Sequence, residues 1–205
     1  MQIPAQRMSV AEYMEMEERT QIRHEYVDGY VYALSGASSP HNLLTTNLCS
    51  LAWHGRATRA CRIFTHAEKV YVAASNSIYY PDVVGSCDST DGASGYLERP
   101  CFVIEVLSPS TAKIDRTEKR DDYLTIPSLD EYVLVDQSRM QVSVYRRKCS
   151  PWPEVLEAPD DVLKLTCIGV GIALADIYEG IACRNDGVRS ELKLPAHVTS
   201  MSLEA

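Results

Sequence analysis

The sequence predicts an α/β (α+β) fold: a mixed central sheet flanked by helices, with an N-terminal helix and β-hairpin ahead of it. Three observations carry this reading. After His41, the apolar positions Leu44, Leu48, Leu51 and Ala52 recur at helical spacing. Cys101–Ile104 and Val106-Leu107 make an almost wholly apolar run, the mark of a strand buried on both faces, and Glu131–Val135 is a second such strand. Between these strands a charged stretch reads as a helix from about Asp115 to Thr125, which Pro127 stops.

The other elements follow in order. Ser9-Val10-Ala11-Glu12 fits a capping box, so a short helix runs from Ser9 to about Glu18. His24–Val27 and Tyr30–Leu34 flank Asp28-Gly29, the strongest local signal for a hairpin. Ser38-Ser39-Pro40 opens the helix of His41, which is expected to end between Ala57 and Ala60. Arg62–Thr65, Val70–Ala73 and Val83-Val84 are short β-prone runs. Ser86 to Glu98, rich in Gly, Ser and Asp, reads as an exposed, mobile loop. Val142–Arg146 pairs with Glu131–Val135 through a turn at Asp136–Arg139, and a few short strands reach Gly180. With no repeat or linker, residues 1–185 are expected to form a single domain and residues 186–205 a loose tail.

Composition narrows the function. At 205 residues the chain is long enough for one well-buried core. No stretch approaches the roughly 20 apolar residues of a membrane span, and Met1–Val10 lacks the pattern of a secretory signal. A cytoplasmic protein with no membrane partner is expected. The seven cysteines are scattered and never spaced C-x-x-C, which suggests neither a disulfide framework nor a zinc site; they are expected to pack as small hydrophobes. A net charge of −8 argues against a surface that grips nucleic acid everywhere, but not against a nuclease with a local basic group.

Glu105 is the most informative residue. A carboxylate inside a buried strand must be paired or bind a metal; the plainer alternative is an ordinary salt bridge at a strand end. Asp82 follows Pro81 at the mouth of the preceding apolar strand, where the pair is also common turn chemistry. Together, two neighbouring strands that each deliver a carboxylate make an oxygen site for a hard cation, Mg²⁺ or Mn²⁺. Asp115, Lys119 and Tyr123 share one helix face at i, i+4, i+8. An exposed ion pair would explain that spacing. A helix that packs back across the sheet would instead bring the Lys119 ammonium to the acids, and Lys119→Ala is then expected to spare folding while slowing catalysis.

These residues resemble the PD-(D/E)XK nuclease superfamily, and more closely the Uma-two family of restriction endonuclease-like proteins. The resemblance runs from about Ser9 to Gly180. It rests on His24-Glu25-Tyr26-Val27-Asp28-Gly29, on His41, on Tyr80-Pro81-Asp82-Val83-Val84, and most strongly on Val103–Thr111 followed by Asp115-Arg116 and Lys119. Glu131–Asp136 and Asp176–Gly180 complete it. It implies a restriction endonuclease-like core of order α-β-β-β-α-β, with the acids on the second and third strands and the Glu25 hairpin added in front. The superfamily's lysine usually sits two residues after the Glu, where this chain has Leu107. The resemblance implies that families of this type carry it on the following helix, which selects Lys119, with Lys113 the nearest competitor.

The leading reading is therefore a Mg²⁺- or Mn²⁺-dependent endonuclease hydrolysing phosphodiester bonds, DNA more than RNA. Asp82 and Glu105 would hold the metal, Lys119 would assist, and Glu25, His41 and Asp115 are secondary candidates. Cutting both strands of a duplex would suit a homodimer. The alternative is a non-catalytic nuclease fold serving as a nucleic-acid-binding or assembly module. A serine hydrolase built on Ser108 or Ser110 is set aside, because the G-x-S-x-G turn is absent.

Overall fold

The computed structural model describes residues 7–34, 36–57, 60–147, 150 and 152–182. The tail expected at 186–205 lies outside the described residues, as do Cys149 and Cys183. Helix α1 (Val10–Arg19) begins at the Ser9 capping box, with the Ser9 and Glu12 side chains each bonding the other's backbone N–H. Strands β1 (His24–Val27) and β2 (Tyr30–Ala33) form the expected hairpin, and Asp28 and Gly29 both take positive φ, as a tight two-residue turn requires. Helix α2 (Ser39–Gly55) is capped by Ser38 and buries Leu44, Leu48 and Ala52.

The central sheet has six strands in the order β10-β9-β8-β7-β6-β3. These are β3 (Arg62–Thr65), β6 (Val83–Ser86), β7 (Phe102–Leu107), β8 (Glu131–Asp136), β9 (Val142–Arg146) and β10 (Glu154–Leu156). All neighbours are antiparallel except β7 and β8, which run parallel through the helical crossover. Strand β7 is buried at every position, which explains its unbroken apolar run. One face, with Phe102, Ile104 and Val106, packs on α2 and on the β11 (Val162–Leu165) and β12 (Val170–Ala173) hairpin. The other, with Val103 and Leu107, packs on Tyr123, Val70, Val72 and Tyr79.

The core order α-β-β-β-α-β is present as α2, β3, β6, β7, the crossover and β8. Two features depart from expectation. Strands β4 (Val70–Val72) and β5 (Ser77–Tyr79) leave the central sheet and join the first hairpin in a second sheet of order β2-β1-β5-β4. The crossover, expected as one helix, is two: α3 (Ala112–Arg116) and α4 (Glu118–Tyr123), broken at Thr117, whose hydroxyl bonds back to the Lys113 carbonyl. The second sheet is sandwiched. Tyr26 turns toward Tyr13 of α1, while Val27 turns toward the central sheet's core.

The Ser86–Glu98 loop is tied down rather than mobile. Asp91 is buried and accepts bonds from Ser86 Oγ and from the Glu98 and Arg99 N–H groups. The expectation that all cysteines are isolated thiols also fails. Cys49 is free and half-buried, but Cys61–Cys87 and Cys101–Cys167 are disulfides, because the strand order gathers the same ends of β3, β6 and β7.

At Gly85 in β6, a Cβ would meet the Phe102 ring at 2.1 Å, so the ring occupies the space that any side chain would need. Gly85→Ala is expected to destabilise the chain by about 1–3 kcal/mol through overpacking. Urea unfolding reads this directly; an unchanged midpoint would mean that Phe102 does not lie there.

Candidate active site

Asp82 and Glu105 meet because of register. Val83 pairs with Ile104, so one step further places Asp82 opposite Glu105 on the same face of the sheet. The Val106 N–H donates to Asp82 Oδ2 at 2.7 Å, and the Asp82 N–H donates to Glu105 Oε2 at 3.4 Å. Asp82 sits immediately before β6, where the strand end opens into a cleft of about 900 Å³ lined by Glu25, His41, His66, Asp82, Glu105 and Lys119.

Lys119 reaches the acids as anticipated, but as a buried group. Its Nζ lies 2.8 Å from Glu25 Oε1, 3.3 Å from Glu105 Oε1 and 3.4 Å from Asp115 Oδ1. Exposures of 4% for Glu105, 1% for Asp115 and 5% for Lys119 rule out a surface ion pair. The break at Thr117 does not separate Asp115 from Lys119, and the Tyr123 hydroxyl closes the floor 3.5 Å from Glu105 Oε1. Glu25 arrives from the second sheet, on the inward face of β1 beside Val27. Lys113 is exposed and lies outside the cleft, so it does not compete with Lys119.

Two histidines hold Asp82. His41, at the start of α2, places Nε2 3.1 Å from Asp82 Oδ2; His66 places Nδ1 3.5 Å from Oδ1. His66 escaped the sequence reading, because a histidine in a turn between two short strands carries no local signal. Its positive φ of 41° is visible only in the fold.

The electrostatics follow from burial. Burial pushes the Glu105 carboxyl well above its ordinary 4.5; Lys119 opposes this, and the Asp115, Asp82 and Glu25 charges add to it. Burial also raises Asp115, against Lys119. Burial works against Asp82 ionising, but the His41 and His66 hydrogen bonds outweigh it and bring Asp82 to about 2. His41 is raised in turn: burial favours its neutral form, and the Asp82 hydrogen bond and charge overcome that. Burial opposes the Lys119 ammonium, yet Glu105, Glu25 and Asp115 hold it well above 10.5. Three carboxylates thus contact one ammonium, and Asp82 lies beside Glu105 with the two histidines as its own partners.

This fold and site define a restriction endonuclease-like α/β protein with an acid cluster at one end of its sheet. The chain belongs to the Uma2 family, whose model, described as "Putative restriction endonuclease", matches residues 10–175. Two uncharacterized proteins of Synechocystis sp. are similar. One is 33% identical over 87% of this chain and 95% of its own length, and the other 35% identical over 68% and 81%. The fold also matches the crystal structure of a "putative nuclease belonging to DUF820" from Anabaena variabilis, with a TM-score of 0.71 at 19% identity, covering 84% of this chain and 98% of that one. Among the described residues no helix is long and apolar enough to cross a membrane.

Two predictions follow from the buried charges. Removing the ammonium leaves buried carboxylates without a partner, so Lys119→Ala is expected to cost about 3–5 kcal/mol of stability, contrary to the sequence-based expectation that folding is spared. The exposed Lys113→Ala is expected to change stability by less than about 0.5 kcal/mol; urea unfolding that gave equal values would refute the charge cluster. The second concerns pH. Because the folded Glu105 pKa is raised, this group's contribution is full below 4.5 and declines as pH rises through the folded value. Asp82 has the opposite sign, its contribution present above 3.8 and lost as pH falls toward about 2. With divalent cations chelated, Glu105→Gln is expected to flatten the fall in Tm above pH 4.5. Parallel Tm curves for variant and parent would contradict that sign.

Proposed function

We propose that this protein is a metal-dependent endonuclease acting on DNA phosphodiester bonds, with Asp82, Glu105 and Lys119 as its catalytic groups. The observation that carries the reading is the pairing of Asp82 and Glu105 across β6 and β7 with the Lys119 ammonium beside them, in an open cleft. The donor set fits a divalent cation. It is made of oxygens, the choice of a hard ion such as Mg²⁺ or Mn²⁺, and its carboxylates outnumber its one ammonium. When bound, the ion supplies positive charge at the phosphate and acidifies a water molecule.

The chain's own groups do the rest. Asp82 is held by the Val106 N–H and His41, so its carboxylate is fixed before substrate arrives. Lys119, clamped by three acids, sets a positive charge at the cleft floor that stabilises negative charge on the phosphate or orients the attacking water. His66, 38% exposed in its side chain, stands at the cleft mouth beside Asp82 Oδ1, where its ring can hydrogen-bond an entering water or phosphate oxygen. The family description supports DNA as substrate, and a two-fold dimer would let each copy cut one strand.

Nicking of supercoiled plasmid with Mg²⁺ or Mn²⁺ tests the proposal. Asp82→Asn and Glu105→Gln are expected to abolish cleavage and the Tm rise that the cation gives the parent. Lys119→Ala, assayed where circular dichroism shows it folded, is expected to lower cleavage about ten-fold to a thousand-fold. If the parent never exceeds Glu105→Gln on any DNA or RNA, the non-catalytic binding or assembly role takes its place.

A further inference from the structure

At the end of the central sheet opposite Asp82 and Glu105, four cysteines converge. Cys61 precedes β3, Cys87 follows β6, Cys101 precedes β7, and Cys167 lies in the 3₁₀ turn Thr166–Ile168 between β11 and β12. Arg62 pairs with Ser86, so Cys61 and Cys87 stand directly opposite, with Cα atoms 3.9 Å apart. The Cys101 N–H bonds to the Gly85 carbonyl, which brings Cys101 in from the other side of β6. The sulfurs of Cys87, Cys101 and Cys167 lie within 4.8 Å of one another, and those of Cys87 and Cys101 are 3.6 Å apart. Cys61 is bonded to Cys87 and its sulfur lies 3.9 Å from the Cys167 carbonyl, so it adjoins these three as a fourth sulfur.

We propose that, when reduced, Cys61, Cys87, Cys101 and Cys167 bind one Zn²⁺ as a tetrahedral structural site, and that the two disulfides are the oxidised, metal-free form of the same cluster. A ZnS₄ centre has Zn–S distances of about 2.3 Å, which sets its sulfurs about 3.8 Å apart. The 3.6 Å between Cys87 and Cys101 is already close to that edge. Opening the two disulfides frees the other sulfurs to move apart toward that spacing by side-chain rotation. Thiolates select a soft ion, whereas the carboxylate end of the sheet selects a hard one, so the two sites do not compete for one metal. Cys87 is exposed, which gives an ion access. Cys87 and Cys101 line a surface depression with Asp88 and Arg99, which pair with each other at 2.7 Å. Bound zinc would clamp the turn between β11 and β12 onto the ends of β3, β6 and β7.

The interconversion balances. Two disulfides, two molecules of a phosphine reductant and two waters give four thiols and two phosphine oxides; zinc binding then releases four protons. Two molecules of hydrogen peroxide reverse the process by accepting four electrons and four protons, which yields both disulfides, four waters and free Zn²⁺.

The test uses the full chain, reduced with phosphine under anaerobic conditions and then given Zn²⁺ or Co²⁺ alone. We expect one Zn²⁺ per chain, a visible tetrahedral cobalt–thiolate spectrum, and protection of the four cluster thiols from alkylation. Cys87→Ser, at the exposed position, and Cys101→Ser are each expected to weaken zinc binding at least ten-fold, whereas Cys49→Ser and Glu105→Gln leave it unchanged. Because Glu105→Gln disables only the acid site, failure of the nuclease reading and failure of the zinc site are told apart. The proposal is overturned if the reduced chain takes up no zinc, if both cysteine variants bind it like the parent, or if Glu105→Gln abolishes the uptake.

Discussion

A charged carboxylate cannot stay inside a strand that is dry on both faces unless positive charge reaches it, and most of the site's architecture answers to that requirement at Glu105. Lys119 supplies the charge, and to do so α4 must lie across the sheet with Lys119 and Tyr123 inward. Lys119 is itself too buried to stand on one partner, so Asp115 and Glu25 join it. The need for Glu25 in turn explains why the first hairpin packs against the core instead of waving in solvent. Isolated buried pairs rarely stabilise a fold. A cluster with surplus negative charge is better understood as an arrangement kept for what it binds.

The aromatic packing behind the cluster serves the same end. Tyr79, Tyr123 and Tyr132 pack as a row of tilted rings with centroids 5.5 and 5.3 Å apart, and each hydroxyl is spent on a polar group of the crossover or on Glu105. Rings of this size exclude water from one side of Glu105 while their hydroxyls satisfy neighbouring acceptors. The cleft side is left open. Glu105 is therefore dry behind and reachable in front, a condition for holding an exchangeable cation.

Much of this was legible in the sequence, and the boundary of legibility is physical. Glu105 stood out because an acid in an apolar run violates the pattern of its own strand. Lys119 followed from helical spacing and held even though the helix breaks at Thr117, since both halves keep Asp115 and Lys119 within contact. The Asp28-Gly29 turn and the Ser9 cap are chemical signals confined to a few residues. What local signals could not show was who pairs with whom. Strand β4 reads as an ordinary strand and β5 does not read as one at all, yet both belong to a different sheet from β3 and β6 on either side of them. His66 and the four converging cysteines became visible only once strand order was known, because sequence spacing carries no record of contacts made across a sheet.

The second sheet also sets the order in which the site can be assembled. Glu105, Asp115 and Lys119 lie within one strand-and-crossover unit, whose contacts are short-range and close at little entropic cost. Glu25 belongs to the first hairpin, and its sheet is completed only by β5, from far along the chain. Ordering the long intervening segment costs entropy before any contact repays it. Glu25, the third acid on Lys119, is therefore the last to dock. Until it does, Lys119 has only two acids around it and the crossover is looser than in the finished fold. Opening of the N-terminal layer, not of the central sheet, is then the low-energy excursion that exposes the cluster to solvent.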